Sequence, residues 1–241
     1  MNYQIITNLG ALEAFIAWLP ELLPYEKYYL CLFARKKYCE TVGYIKSDKT
    51  QMKRFLADKE RMLEKIMQLE CPVGSYRQKG NPIPQEALAF YITTNPRNLW
   101  KANFDAIGDL GKVIQCEGKT SNPHQEVMSS IQRSRGTKHF IDFDIDSKEE
   151  GTLERIREAL PDETLNDSYF ILETRGGYHV LVNPKRIRKS WTPGGGHWHR
   201  RLSLMSDITG DKMIPVPGTH QGGFTPKFLT EFPNTNSTAP Q

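Results

Sequence analysis

Cysteine is scarce in this 241-residue chain, and the four cysteines lie far apart in the sequence. They are Cys31, Cys39, Cys71 and Cys116, and none forms the C-x-x-C spacing that a zinc knuckle normally uses. A mixed site of Cys116 with His124 is the alternative to buried free thiols, which are the simpler interpretation. Because no disulfide framework is evident either, the sequence predicts a protein of the reducing cytoplasm.

Long apolar runs and a strong net charge are also missing. No stretch approaches the ~20 apolar residues needed to span a bilayer, and the first residues lack the basic segment of a signal peptide. We therefore expect no membrane partner. The formal net charge is only +4, so the position of the basic residues matters more than their excess. Hydrophobic residues make up 38%, enough for one large domain or two lobes around a shared core.

Hydrophobic periodicity predicts an order of helices and strands along the N-terminal half. In this half we expect a short helix within the first 24 residues, a strand near 28–38, one long helix over 47–70, a strand over 87–94 and a helix over 98–115.

The pattern changes past residue 136. We expect a strand over 138–146, a helix over 152–160, and two strands, 168–174 and 178–182, joined by a short glycine turn into a hairpin. This order of strand, helix, strand and strand resembles the palm of polymerases. The expected fold class is therefore α+β.

The strand HFIDFDID (139–146) carries aspartate at every second position of its acidic part. Asp142, Asp144 and Asp146 share one face, with same-face neighbours ~6.6 Å apart along the strand. Carboxylates in this pattern can hold two divalent ions, Mg²⁺ or Mn²⁺, for phosphoryl transfer. The alternative is an edge strand whose charges block aggregation. Three aspartates in register repel one another, however, and a bound metal would compensate.

The segment ETRGGYHVLV (173–182) combines a glycine turn with a hydroxyl, a guanidinium and an imidazole. Glycines let backbone N–H groups approach phosphate oxygens, and these side chains can bind a triphosphate. Alone, such a turn is common, and a lone histidine on a strand is more often a packed or surface residue. The position directly after the acidic strand and a helix gives the turn its weight. The residues concerned are Thr174, Arg175, Gly176, Gly177 and His179.

Three segments, in order, resemble the motifs of the archaeo-eukaryotic primase superfamily. FIDFD (140–144) is similar to its hydrophobic strand ending in Asp-x-Asp, and TRGGYH (174–179) to its small-residue turn with a histidine. Thr174 stands at or near the usual serine. GDKMIPVPGTHQGG (210–223) resembles the segment in which plasmid and phage members carry a Pro-Gly-Thr turn, and Asp211 is its best candidate for a third acidic ligand.

The resemblance covers roughly residues 85–230 and implies a fold. It implies a palm-like (RRM-like) antiparallel sheet with flanking helices, plus an N-terminal α/β lobe, with the active site between them. We expect one primase-polymerase catalytic domain over 1–230, with lobes of about 1–135 and 136–230, and a flexible tail over 231–241.

The resemblance also implies an activity and its ligands. The protein would be a template-directed nucleotidyltransferase, a DNA primase or DNA polymerase, that joins nucleoside triphosphates on single-stranded DNA, with a replicative helicase as a further partner. Asp142, Asp144 and Asp211 would bind two Mg²⁺ or Mn²⁺ ions, and His179 with its turn would bind the phosphates of the nucleotide.

The roles of two further aspartates, Asp146 and Asp207, are not fixed by this assignment. Asp146 lies outside the minimal pattern, and it either supports the metal ligands or replaces Asp142 as the partner of Asp144. Asp207 is the second candidate for the third acid. We expect Asp207 on the last turn of a helix, pointing elsewhere, and Asp211 at the start of a short strand with its carboxylate facing the pair.

No acidic residue occurs between Asn183 and Ser206, whereas six lysines and arginines do, with aromatic and histidine residues among them. Cations combined with aromatic faces suit a single-stranded nucleic acid. The alternative is a solvated basic face with core tryptophans. The residues are Lys185, Arg186, Arg188, Lys189, Arg200, Arg201, Trp191, His197, Trp198 and His199.

Two other functions remain open. The first is a rolling-circle replication initiator endonuclease, since HWH (197–199) is a His-x-His pair of the kind such enzymes use with a metal and a tyrosine nucleophile. Their histidines lie on a strand, whereas the Gly-Gly-Gly and Arg-Arg around this pair predict a loop entering a helix. The second is a non-catalytic primase-like module that binds nucleic acid. The presence of Asp142, Asp144 and His179 argues against it.

Overall fold

A computed structural model of the protein describes residues 1–40, 42–115, 122–160, 168–187 and 197–230. In this part of the chain helices and strands are mixed, and every pairing between strands is antiparallel. The expected α+β class with antiparallel sheets is confirmed at that level. The tail predicted over 231–241 lies outside the described residues.

The described residues form six α-helices: α1 (Leu9–Trp18), α2 (Lys59–Met67), α3 (Leu99–Gln115), α4 (Pro123–Arg133), α5 (Thr152–Ala159) and α6 (His197–Met205). Polar caps explain where some of them begin. The Asn8 side chain accepts a hydrogen bond from the backbone N–H of Ala11, and Asn122 accepts one from that of His124. Within the described residues, no helix has both the length and the apolar character needed to cross a membrane.

Twelve strands are found in the same part of the chain, most of them short. They are β1 (Glu26–Ala34), β2 (Thr50–Ala57), β3 (Arg77–Gln78), β4 (Asn81–Pro82), β5 (Leu88–Thr93), β6 (Arg97–Asn98), β7 (Ile141–Ile145), β8 (Tyr169–Glu173), β9 (Tyr178–Val182), β10 (Ile208–Gly210), β11 (Met213–Pro215) and β12 (Lys227–Phe228). The β3 and β4 strands pair only with each other.

The long helix predicted over 47–70 is wrong in its first half. The residues of β2 form a strand there, and α2 begins only at Lys59. Asp58 separates the two elements because its side chain accepts the backbone N–H of Arg61 and so caps α2. The strand is stabilised by its pairing with β1, a contact between distant parts of the chain that helical spacing does not reveal.

The first sheet has the strand order β11-β5-β1-β2, and β6 pairs with the start of β1. The central strands β1 and β5 are buried along almost their whole length, which explains their nearly continuous apolar sequences. One face, which carries Tyr29 and Cys31, packs against α3 and α4. The other face, which carries Leu30 and Phe90, packs against α1 and α2 in the main core.

The second sheet has the order β10-β7-β9-β8-β12. Its strands β8 and β9 form the hairpin that the glycine turn predicted. One face, with Phe143 and Val180, packs against α5 and α6. The opposite face carries Phe170 and Leu181, which join the main core, where Trp18 of α1 packs edge-on against Phe170 at 4.7 Å between ring centres.

The two sheets are joined where β10 leads into β11. The edge strand β10 pairs with β7, and the edge strand β11 pairs with β5, with only Asp211 and Lys212 between them. A second link is the Asn95 side chain, just after β5. It accepts the backbone N–H groups of His139 and Phe140 and donates to the Phe140 carbonyl. The start of β7 is therefore fixed to the end of β5.

Candidate functional site

The acidic strand is β7, and it carries Asp142 and Asp144 on one face of the second sheet. The residues between and beyond them, Phe143 and Ile145, are buried against α5 and α6 on the other face. Asp142 is buried and Asp144 is partly exposed. The carboxylates therefore lie on the face that, further along, packs against the first half of the chain.

His179 lies between the two carboxylates. On β9 it stands opposite Asp144 in the strand register. Its Nδ1 is 3.0 Å and 3.1 Å from the two oxygens of Asp142, and its Nε2 is 3.5 Å from Oδ1 of Asp144. The 3.5 Å distance from Nε2 to Asp144 is at the outer limit of a hydrogen bond. The ring is thus bonded at Nδ1 to Asp142, and its Nε2 faces Asp144.

The charge around His179 favours its protonated form. Burial alone disfavours an imidazolium, but the Asp142 carboxylate first of all, and then Asp144, outweigh that effect and raise the pKa of His179 above its usual value. A protonated His179 would place a positive charge between Asp142 and Asp144.

Asp144 is the least compensated of these acids. Burial raises its pKa; the His179 charge opposes this rise, while the nearby carboxylates of Asp146, Asp142 and Asp207 add to it. The raised pKa reflects burial first and the neighbouring carboxylates second, so the ionised form of Asp144 is disfavoured where it stands. Such a site gains from an additional positive charge.

The donor set fits a hard divalent ion that is completed by its substrate. Across the described residues, no group of three or more His, Cys, Asp or Glu side chains has the arrangement of a self-sufficient metal site. Mg²⁺, however, is usually bound through one or two carboxylates together with waters and substrate phosphates. Asp142 and Asp144 supply that number of carboxylates, and a bound cation would stabilise the ionised form of Asp144 that burial disfavours.

Asp207 lies closer to the acidic strand than its predicted place on a helix implied. Helix α6 ends at Met205, and the backbone N–H of Asp207 donates to the carbonyl of Asp144 at 2.9 Å. Its own carboxylate accepts the backbone N–H of Asp146 at 2.9 Å. The prediction that Asp207 lies on the last helical turn is therefore wrong.

Asp211 lies between β10 and β11, directly after Gly210, which pairs with Asp142. Its carboxylate is engaged by groups other than the two strand aspartates. Oδ2 is 2.6 Å from the guanidinium of Arg97, and both side chains are almost fully buried. Oδ1 accepts a hydrogen bond from Asn95 at 3.2 Å. The structure thus brings Asp211 beside the acidic strand but gives its charge a partner from the first sheet.

The hairpin turn that follows β8 lies against the far end of the acidic strand. A Cβ on Gly177 would be 1.9 Å from the carbonyl oxygen of Ile145, so only glycine fits there. A Cβ on Gly176 would lie 3.6 Å from Oδ1 of Asp146, an ordinary contact distance. The Thr174 hydroxyl donates to the Gly177 carbonyl and accepts its N–H, so its hydrogen bonds are used within the turn.

Two arginines from different sheets meet over one aromatic ring. The guanidinium carbon of Arg175, in the hairpin turn, is 4.5 Å from the centre of the Tyr38 ring. That of Arg35, at the end of β1, is 5.5 Å from the same centre and 5.3 Å from that of Tyr91. Within the described residues, neither arginine forms an ion pair, and the buried Nε of Arg35 has no hydrogen-bond partner.

Gln221 fixes the geometry of this arginine pair. Its Oε1 accepts the backbone N–H of Arg175 at 2.8 Å, and its Nε2 donates to the hydroxyls of Tyr38 at 3.0 Å and Tyr91 at 3.4 Å. The sequence did not single out Arg35, Asn95 or Gln221 as functional. Their signals are weak: Arg35 and Asn95 are polar residues directly after buried strands, and Gln221 follows the Pro-Gly-Thr turn.

The structure describes the basic stretch between Asn183 and Ser206 only at its two ends. Arg188, Lys189 and Trp191 lie outside the described residues, as does the side chain of His197. Trp198 is buried. His199 packs edge-on against Phe143 at 5.3 Å between ring centres, on the face of the sheet opposite Asp142. The histidine pair HWH therefore begins helix α6, and the described one of its two imidazoles contacts the side of β7 away from the carboxylates.

Comparisons of the chain with protein-family models, with curated proteins and with solved structures gave no match. The assignment of a function therefore rests on the residues and geometry described above.

Proposed function

We propose that this protein is a template-directed nucleotidyltransferase of the primase-polymerase type. In this proposal the second sheet, with α5 and α6 on one face, is the palm, and its other face carries the active site between the two sheets. The single observation that supports it best is the group of Asp142, His179 and Asp144, of which the first two are buried and the third is partly exposed. Two carboxylates held around an imidazole whose protonated form they favour suit a metal-bound triphosphate more than they suit a structural core.

Asp142 and Asp144 are the proposed ligands of Mg²⁺ or Mn²⁺. Such ions, when bound, would stabilise the charge that develops as a 3′-hydroxyl attacks the α-phosphate and pyrophosphate leaves. Asp207 is the acid we now favour as the third member of the group, because its backbone is bonded to Asp144 and its charge acts on that carboxylate. The ion pair of Asp211 with Arg97 suits a structural role better.

The incoming nucleotide would be held by positive groups on both sides of the site. His179 offers Nε2 and its positive charge beside the carboxylates. Arg175 and Arg35 offer two guanidinium groups without ion-pair partners in the described chain, and guanidinium groups bind phosphate oxygens in a bidentate manner. Gly176 and Gly177 keep the turn free of side chains where it approaches β7.

The proposal also includes a nucleic-acid template and a protein partner. A single-stranded DNA template would follow the basic residues before and within α6, of which Lys185, Arg186, Arg200 and Arg201 belong to the described chain. A replicative helicase is the partner that would supply such a strand. Because α6 lies on the face of the second sheet opposite the carboxylates, the DNA template must pass around an edge of that sheet to reach them.

The test is incorporation of labelled nucleotides on single-stranded DNA, with and without a primer, in Mg²⁺ or Mn²⁺. We expect metal-dependent synthesis, reduced about a hundredfold or more by Asp142→Asn or Asp144→Asn because each removes a charge at the reacting phosphates. Glu60→Gln, an exposed acid on α2, is the matched control and should be active. Circular dichroism would verify that each variant is folded.

Three results would change the assignment. Loss of activity in Asp146→Asn but not in Asp142→Asn would make Asp144 and Asp146 the metal pair. Binding of single-stranded DNA without incorporation under any condition would indicate a non-catalytic module. A covalent link between a cut DNA end and a tyrosine would indicate a rolling-circle endonuclease.

A further inference from the structure

Helix α3 presents an apolar stripe that no described part of the chain covers. Trp100, Phe104, Ile107 and Ile114 are 67%, 68%, 70% and 83% exposed. Their spacing of four, three and seven residues places them on one side of the helix. The opposite side of α3 packs on the first sheet through residues such as Ala102. A contiguous exposed stripe of this size on a helix indicates an interaction surface.

Two glycines lie within the same stripe. Gly108 and Gly111 have no atom within 4 Å of where a Cβ would be, so nothing in the described chain requires glycine at either position. Glycine is also among the poorest helix formers, which makes two of them inside an exposed helix unfavourable on their own. Glycine at these two positions is explained if another backbone or a large side chain must approach the helix closely there.

The charges on α3 argue against nucleic acid as the ligand of this surface. The helix carries Lys101 and Lys112, but also Asp105 and Asp109, so its charges balance. Asp109 is moreover paired with Arg133 of α4. A surface that binds a phosphate backbone needs an excess of positive charge. A neutral, apolar stripe with small and large residues instead suits another protein surface of the same kind.

We propose that two copies of this chain pair through α3, with the helices antiparallel about a twofold axis close to Ile107 and Gly108. In that arrangement Phe104 of each copy faces Gly111 of the other, and Ile107 faces Gly108. Trp100 then reaches Ile114. Each large side chain meets a glycine or completes an apolar contact, so the stripe is complementary to itself, as the isologous interface of a twofold dimer must be.

The size of the stripe is consistent with such a dimer. Aromatic side chains bury ~150–250 Å² each when covered, so four large residues at these exposures offer on the order of 500 Å² per copy. A standard interface buries about 800 Å² per partner, including its polar rim. The charged flanks of α3 and the adjoining α4 would supply the remainder. This inference does not depend on the proposed enzymatic function.

The test is the mass of the full chain in solution, measured by sedimentation equilibrium over a wide range of protein concentration. We expect a reversible dimer. Phe104→Glu and Gly111→Leu should each weaken dimerisation about tenfold or more, since one places a charge in the interface and the other fills the cavity that receives Phe104. Leu204→Glu is the matched control, because Leu204 is 78% exposed on α6 and lies outside the stripe.

The Gly111→Leu variant also separates loss of dimer from loss of folding. No described residue lies close to Gly111, so the variant should fold normally, and the midpoint of its thermal unfolding at low concentration should not decrease. A wild-type chain that is monomeric at every concentration overturns the proposal. A dimer that persists in both Phe104→Glu and Gly111→Leu also overturns it. So does a monomeric protein in which these substitutions weaken oligonucleotide binding.

Discussion

Three buried or half-buried aspartates at the junction of the two sheets differ in how their charge is balanced. Asp142 has the imidazole of His179 against both of its oxygens, and Asp211 has the guanidinium of Arg97 and the amide of Asn95. Asp144 has only the longer contact to the histidine, and its pKa is raised by burial and by the neighbouring acids. Of the three, Asp144 has the most exposed side chain and, in the described chain, the longest distance to its nearest cationic group, so the proposed metal site is centred on it.

The ion pair of Asp211 and Arg97 gives a prediction that separates a structural role from metal binding. Asp211→Ala leaves the Arg97 guanidinium buried without its partner, and we expect the free energy of unfolding to fall by about 3 kcal/mol. Chemical denaturation followed by circular dichroism measures this loss. The double variant Arg97→Met with Asp211→Leu removes both charges and should recover most of it.

Activity of the same double variant decides the role of Asp211. If Asp211 acts through the fold, nucleotide incorporation should persist in the double variant at a temperature at which it is folded. If incorporation is abolished although stability has recovered, Asp211 is a metal ligand as the sequence first indicated.

At the scale of helices and strands, local signals predicted the three central strands of the second sheet but not its edge strands β10 and β12. The alternation of aspartate and apolar residues specified β7, and the short glycine turn specified the β8–β9 hairpin, because both patterns arise from neighbours in the chain. The helix predicted over 98–115 corresponds to α3 in the same way.

Contacts between distant residues were not predictable from such patterns. The helical spacing over 47–70 concealed β2, which exists because it pairs with β1. The partners of Asp211 could not be read from its own segment either, since Arg97 precedes it by 114 residues. For the same reason the sequence identified Arg175 as a phosphate ligand but not Arg35, which reaches the same tyrosine ring from the other sheet.

The approach of the hairpin turn to β7 gives a prediction at this scale. A Cβ on Gly177 would overlap the Ile145 carbonyl, so Gly177→Ala must displace the turn from the acidic strand. We expect a loss of about 2 kcal/mol in the free energy of unfolding and a marked loss of nucleotide incorporation. Gly176→Ala is the matched control and should be nearly neutral, because the added methyl meets Asp146 only at 3.6 Å. Equal effects of the two variants would contradict the geometry of the turn.

At the scale of the whole molecule, the candidate site lies at the seam of two sheets that are held together in several places. Trp18 of α1 stacks on Phe140 at 5.1 Å between ring centres, and Asn95 binds the backbone at the start of β7. The chain also passes directly from β10 to β11. Both halves of the chain are therefore needed to build the site, which agrees with the single catalytic domain that we propose.

The arginine pair tests this arrangement, because Arg35 comes from the first sheet and Arg175 from the turn of the second. If both bind the phosphates of the incoming nucleotide, Arg35→Ala and Arg175→Ala should each raise the KM for nucleotide about tenfold or more, as loss of a charged hydrogen bond does. The concentration of Mg²⁺ needed for half-maximal activity should not change, since neither guanidinium belongs to the metal site. Steady-state incorporation with varied nucleotide and varied metal measures both quantities.

Arg61→Ala, which removes an exposed arginine from α2, is the control for a general loss of positive charge and should leave KM unchanged. Arg35→Lys keeps the charge but not the planar guanidinium that contacts Tyr38 and Tyr91, so its KM should lie between those of the wild type and Arg35→Ala. If kcat falls in both alanine variants while KM is unchanged, and thermal unfolding shows that they are folded, the two arginines do not bind the nucleotide. The contact of each guanidinium with Tyr38 would then serve only to hold the turn of the second sheet against the first.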